Sequence, residues 1–109
     1  MRDYRLYLDD IKSSITKIKE YTDGITGEEF DQDAKTIDAV IRNLEIIGEA
    51  VKNLPDHVKS KHSDVDWRAI AGMRDIIAHQ YFGVDYSEIW KAIKEDLPIL
   101  DKKIKEIDV

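Results

Sequence analysis

Apolar residues return at alternating steps of four and three through most of this chain, and that interval limits the fold more than any other feature. Tyr4, Leu8, Ile11, Ile15 and Ile18 trace one such stripe. On an α-helix these steps bring side chains back to one face, whereas a half-buried strand needs alternation at every second residue. Ile37, Val40, Ile41, Leu44, Ile47, Gly48 and Val51 form a second stripe. The last runs through Tyr86, Ile89, Trp90, Ile93, Leu97, Leu100, Ile104 and Ile107. No segment sustains strand alternation, so the chain is predicted to be all-α.

Local punctuation divides these stripes. Gly24 is a C-terminal stop for the first helix. Thr26 and Glu29 have the spacing of a capping box for the second, with Asp31 and Asp33 as rival N-caps, and Pro55 ends that helix. "PDHVKSKHSDVD" is a polar connection with room for one short helical turn. Asp64 or Asp66 then caps a third helix from Trp67 to about Phe82, where Gly83 follows. Asp85 and Glu88 repeat the capping-box spacing before the final helix, which Pro98 kinks or divides. Three helices of comparable length and a shorter fourth, joined by short links, predict an antiparallel four-helix bundle with one extra short helix allowed. At 109 residues, the chain has the size of one domain, residues 1–109, and is too small for two independent cores.

With no cysteine among its residues, the chain has neither disulfides nor thiolate zinc sites, and a reducing cytoplasm is its expected home. No segment approaches the apolar length of a membrane span. A net charge of −6 argues against a broad cationic surface for nonspecific nucleic-acid binding, although a small cationic site is compatible with it. The lysines of "KSKH" (59–62) and "KKIK" (102–105) read as solvated helix faces.

The third helix carries an anomaly. Trp67, Ile70, Ala71, Ile77, Ala78 and Tyr81 surround Arg74 at helical spacing, and Met73 and Ile76 widen the apolar arc beyond what one neighbouring helix covers. A guanidinium among such residues is costly unless an internal carboxylate or a bound anion satisfies it. His79 lies five residues on, roughly 140° around an ideal helix. The two converge only if the helix loosens before Gly83, if the arginine stem wraps around, or if a second subunit shares the cleft. The wide arc itself points to a homodimer. Asp75 and His79, four apart, can pair directly and favour the imidazolium.

Other candidates carry less. Taken singly, Arg74 is a structural bridge, His79 a helix-end residue and Tyr81 a core-edge aromatic. His57 and His62 lack the i, i+4 metal-binding spacing and read as surface residues. Trp67 and Trp90 read as core, and Glu45 and Glu49 as a solvated face, with pairing of Glu49 to Arg74 a lesser reading. No glycine-rich phosphate loop is present, which argues against ATPase or nucleotidyltransferase chemistry in this chain.

The string Arg74-Asp75-Ile76-Ile77-Ala78-His79-Gln80-Tyr81 has the form R-x4-H-x-Y. With "YLDDIKSSITKIKEY", "IIGEAVKNLP", "DWRAIAGMRDIIAHQYFGVD" and "IWKAIKEDLPIL", it resembles the HEPN superfamily, specifically its small HepT-type toxins. The resemblance implies a HEPN-like helical fold and a metal-independent endoribonuclease without a cofactor. It also implies a homodimer whose cleft joins motif residues of two subunits. The implied partner is an MntA-like nucleotidyltransferase antitoxin that transfers AMP to the motif tyrosine. By the same resemblance Arg74 and His79 are the catalytic pair, Tyr81 the modification site, and Asp75 a supporting residue at a position where the family commonly has asparagine. The chemistry is coherent on general grounds. A histidine titrating near neutrality moves protons, and an arginine grips phosphate oxygens and stabilises the charge that develops on them. The alternative, kept open by the acidic net charge and Asp75, is a noncatalytic HEPN module that binds a nucleotide or scaffolds the transferase.

Overall fold

The computed structural model describes residues 3–72 and 86–107, and every regular element among them is helical, as expected of a HEPN-like chain. Helix α1 spans Tyr4–Thr22 and opens where the Asp3 carboxylate accepts a hydrogen bond from the Arg5 N–H at 3.0 Å. Its apolar stripe is the predicted one: Leu8, Ile11, Ile15 and Ile18 are buried, and Tyr4 packs against the core from its edge. The helix stops in a tight turn. Asp23 is extended (φ −64°, ψ 128°), Gly24 has φ 74°, and the Ile25 N–H reaches back to the Thr22 carbonyl at 3.4 Å. These are the features of a type II turn, whose third position favours glycine because a Cβ is strained at positive φ.

The next segment differs from expectation in one respect. Thr26 and Glu29 do form a reciprocal capping box, at 3.1 Å in both directions, but it caps a separate short helix, α2, Gly27–Asp31. Asp33 leaves the helical region (φ −110°, ψ 84°), and its carboxylate caps α3, Ala34–Lys52, by accepting from the Thr36 N–H at 3.1 Å. Of the rival caps, Asp33 acts, and Asp31 is the last residue of α2. The buried face of α3 contains every residue of its predicted stripe. Asn53 closes it by donating from Nδ2 to the Glu49 carbonyl at 2.8 Å. Pro55 then serves as N-cap of α4, Asp56–Lys61, the short turn foreseen in the polar connection.

Helix α5 is Trp67–Ala71, with Asp66 rather than Asp64 as its cap and Gly72 at its end. The remainder of the helix expected to reach Phe82 lies outside the described residues, as do Gly83 and Asp85 of the expected second capping box. After Tyr86 the chain is helical to Ile107, in three consecutive pieces. These are α6 (Ser87–Lys91), a π-helical stretch (Ala92–Asp96) and α7 (Leu97–Ile107). Pro98 divides this element as anticipated. A proline within a helix removes a donor and its ring crowds the carbonyl four residues earlier. Here the Leu97 N–H bonds to the Ala92 carbonyl, five residues back, so the ladder has already widened where the ring arrives. α1 and α3 have 19 residues each, and the helical run from Ser87 to Ile107 is of comparable length.

α3 is central. It packs most extensively on α1 and also contacts α5 and α2, while α7 packs on α1 and α2 meets α6. The T-shaped approach of Tyr4 to His57, with ring centroids 6.0 Å apart, sets the start of α1 beside the chain just past α3, so α1 and α3 are antiparallel. Phe30, fully buried, ties α2 into the same core as Ile47, Leu97 and Leu100.

Candidate functional site

Arg74, Asp75, His79 and Tyr81 all lie outside the described residues. The described structure bears on the two flanks of the segment that carries them, and each flank is anchored by a tryptophan.

On the incoming side, Trp67 is buried and its indole Nε1 donates to two carbonyls, Lys59 at 3.1 Å and His62 at 3.0 Å. Those carbonyls belong to the end of α4 and the turn after it, and each also accepts a backbone N–H, Lys59 from His62 and His62 from Val65, both at 3.1 Å. The indole thus adds a second donor to each carbonyl and pins α5 to α4. The Asp66 carboxylate accepts from the Ala69 N–H at 3.0 Å, fixing the first turn. The Gly72 N–H closes the last one on the Arg68 carbonyl at 2.9 Å. One residue later the undescribed segment begins.

On the outgoing side, Trp90 packs against Phe30 with ring centroids 5.1 Å apart, and Lys94 Nζ lies 4.6 Å from the centroid of the indole. Gly27 permits this approach, because a Cβ there would stand 3.1 Å from the indole Nε1. Ile89, one residue before Trp90, is 1% exposed and fastens α6 to the core. Both tryptophans therefore hold positions within the core or at its margin, as their spacing predicted.

Between these flanks lies a half-open groove of about 560 Å³. Buried Val65, Ile70 and Leu100 contribute its apolar floor, and Asp64, Asp66, Glu88 and Asp96 line it with carboxylates. Among the described residues of that lining, Lys91 is the one cationic side chain. The walls come from the linker after α4, from α5, and from the α6–π–α7 element, so no local stretch of sequence announces the groove. Its charge has the wrong sign to cradle phosphates.

Ion pairs tie the C-terminal helix to this frame. Lys103 pairs with Asp64 and, at 3.2 Å, with Glu106. The hydrogen bond from Lys103 holds the Asp64 carboxyl below its ordinary value, and Asp64 in turn holds the Lys103 ammonium above its own. Asp101 accepts from Lys19 at 2.7 Å and lies 3.2 Å from Lys105. Burial raises the Asp101 carboxyl, but hydrogen bonds from the two lysines outweigh it and leave the group below its ordinary value. Two of the three lysines of "KKIK" are thus engaged by carboxylates. His57 is exposed and His62 partly so, and no group of three or more metal-ligating side chains is found among the described residues. Nor is any helix among them long and apolar enough to cross a membrane.

Comparison with known proteins gives a consistent result. The family model described as "Ribonuclease HepT-like" matches residues 11–107. A protein of Caldanaerobacter subterraneus subsp. tengcongensis, named as an inferred RNase, is 48% identical over 107 residues, covering 98% of this chain and 96% of its own. The "Probable ribonuclease HepT" of Thermococcus cleftensis is 48% identical over 106 residues, covering 97% of this chain and 96% of its own. A Methanocaldococcus jannaschii protein, also named as an inferred RNase, is 43% identical over 106 residues, with 97% and 88% covered. No solved structure matches the chain.

Proposed function

This chain belongs to the ribonuclease HepT-like family, and from that premise we propose that it is a metal-independent endoribonuclease toxin of the cytoplasm, restrained by a nucleotidyltransferase antitoxin. The observation that carries the reading is the family match over residues 11–107, an interval that takes in the whole R-x4-H-x-Y string. His79 moves protons between the attacking 2′-hydroxyl, the leaving oxygen and solvent. Arg74 grips the phosphate and stabilises the charge that grows on it. A homodimer supplies two histidines to one cleft, enough for separate acid and base. Asp75, four residues before His79, orients the imidazole and favours its charged form.

The decisive experiment compares wild type, Arg74→Ala and His79→Ala for cleavage of RNA and for growth arrest. Loss of the acid–base group should lower the rate on the order of 10²–10⁴-fold while leaving the helical circular dichroism unchanged. Equal cleavage by all three proteins in a contaminant-controlled assay refutes the assignment and favours a binding or scaffold module. Tyr81 is the proposed AMP acceptor: a bulky phosphodiester there blocks the cleft and competes for Arg74. Mass spectrometry after incubation with the cognate transferase and ATP should place the adduct on Tyr81, and modification solely at another tyrosine would refute that site.

A further inference from the structure

The groove between α5 and the α6–π–α7 element has properties that the nuclease reading does not use. Its floor is apolar, its rim is acidic, and Ile99 at its edge is 59% exposed, the most exposed of the large apolar side chains among the described residues. Among the described lining residues, Asp64 is already paired with Lys103, and Asp66, Glu88 and Asp96 against Lys91 leave an acidic rim ill suited to a nucleic-acid backbone. A second copy of this chain, with a net charge of −6, is a poor electrostatic match as well. The groove instead matches a helix with an apolar stripe bordered by lysine or arginine. Apolar side chains of such a helix would fill the floor and cover Ile99 and Ala92, and its cations would meet Glu88 and Asp96 on one side and Asp66 on the other.

We infer that this groove is a docking site for a cationic amphipathic helix of a partner protein. The inference rests on the groove's charge and shape and stands whether or not the chain cleaves RNA. Its position also gives it leverage. One wall is α5, which leads into residues 73–85, and the other begins with α6, which leads out of them, so an occupant grips both ends of that segment. Burial of the apolar floor supplies affinity, and the carboxylates select the partner and speed encounter.

The test uses the full chain and a fluorescein-labelled synthetic Leu/Lys amphipathic helix of about 14 residues, near 20 Å long, with a Leu/Glu counterpart as control. Fluorescence anisotropy should show binding of the Leu/Lys peptide and none of the Leu/Glu peptide. The double charge reversal Glu88→Lys with Asp96→Lys should weaken binding by about tenfold or more. The matched reversal Glu20→Lys with Asp38→Lys, at exposed positions on α1 and α3, changes net charge equally and should leave affinity within about twofold. Ile99→Asp should also weaken binding, which a purely ionic association would not show. Absence of Leu/Lys binding, equal loss in the two double variants, or insensitivity to both Ile99→Asp and the groove reversal would overturn the proposal. All substituted side chains are exposed, and circular dichroism verifies that each variant is folded.

Discussion

At the scale of single residues, side chains that satisfy backbone groups outside their own helix do much of the specifying. Trp67 is the clearest case, with its one donor shared between two carbonyls of the preceding segment. Trp67→Phe keeps most of the buried ring and removes that donor, so it should destabilise the fold by about 1–2 kcal/mol, measurable by urea titration. Asp101 offers a pH test. Its carboxyl lies below the ordinary 3.8, so its contribution to stability is complete above that value and is lost as pH falls through the lower, folded one. The wild-type urea midpoint should therefore drop between about pH 6 and about pH 3 by more than that of Asp101→Asn, which cannot titrate. Identical acid limbs would show that the Lys19 and Lys105 contacts are energetically silent.

At the scale of elements, the π-helical stretch is the feature with the largest structural consequence. Ile89, Ile93 and Leu97 are all buried at successive steps of four. On a regular α-helix each such step drifts about 40° around the axis. The wider turn of Ala92–Asp96 takes up that drift before Leu97, Leu100 and Ile104 continue the buried face. Removing one residue from the stretch, for example Glu95, should close the wide turn into a helix kinked at Pro98, with both flanking faces still directed at the core. Deleting Lys102 from α7 instead rotates everything beyond it by about 100° and carries Ile104 off the core. Thermal unfolding should then show a much lower midpoint for the Lys102 deletion than for the Glu95 deletion, and the reverse order would contradict this account.

For the whole molecule, charge and assembly are the levers. The lowered carboxyls of Asp33, Asp64 and Asp101 all weaken the fold as acid protonates them. The raised Lys103 ammonium acts at the other limb. Its contribution is complete below the ordinary 10.5 and disappears as pH rises through the folded value. Stability should accordingly plateau between these limits. Dimerisation, proposed from the apolar width around Arg74, should appear as a doubled mass by light scattering at micromolar concentration. A strictly monomeric mass would remove the shared cleft from the mechanism and leave Arg74 and His79 to converge within one protomer. Failure of the groove peptide to bind would leave the nuclease assignment untouched, because the two readings depend on different residues.

Much of this organisation is local and was therefore legible in the linear chain. Apolar stripes, the Thr26–Glu29 box, the glycine at 24 and the division near Pro98 depend on spacings of a few residues, and short-range sterics and hydrogen bonding decide them. The separation of α2 from α3 was not legible, because Asp31 and Asp33 are equally good caps until the packing of Phe30 selects between them. The resemblance of the R-x4-H-x-Y string and its flanks named the family, and the roles proposed for Arg74, Asp75, His79 and Tyr81 come from that resemblance. What the amino-acid order determined by itself was the helical character of the chain and its kinship. Only tertiary packing decided that Asp64, Asp66, Glu88 and Asp96, drawn from a linker and separate helical segments, would share one groove, since nothing in a local period specifies which distant carboxylates become neighbours.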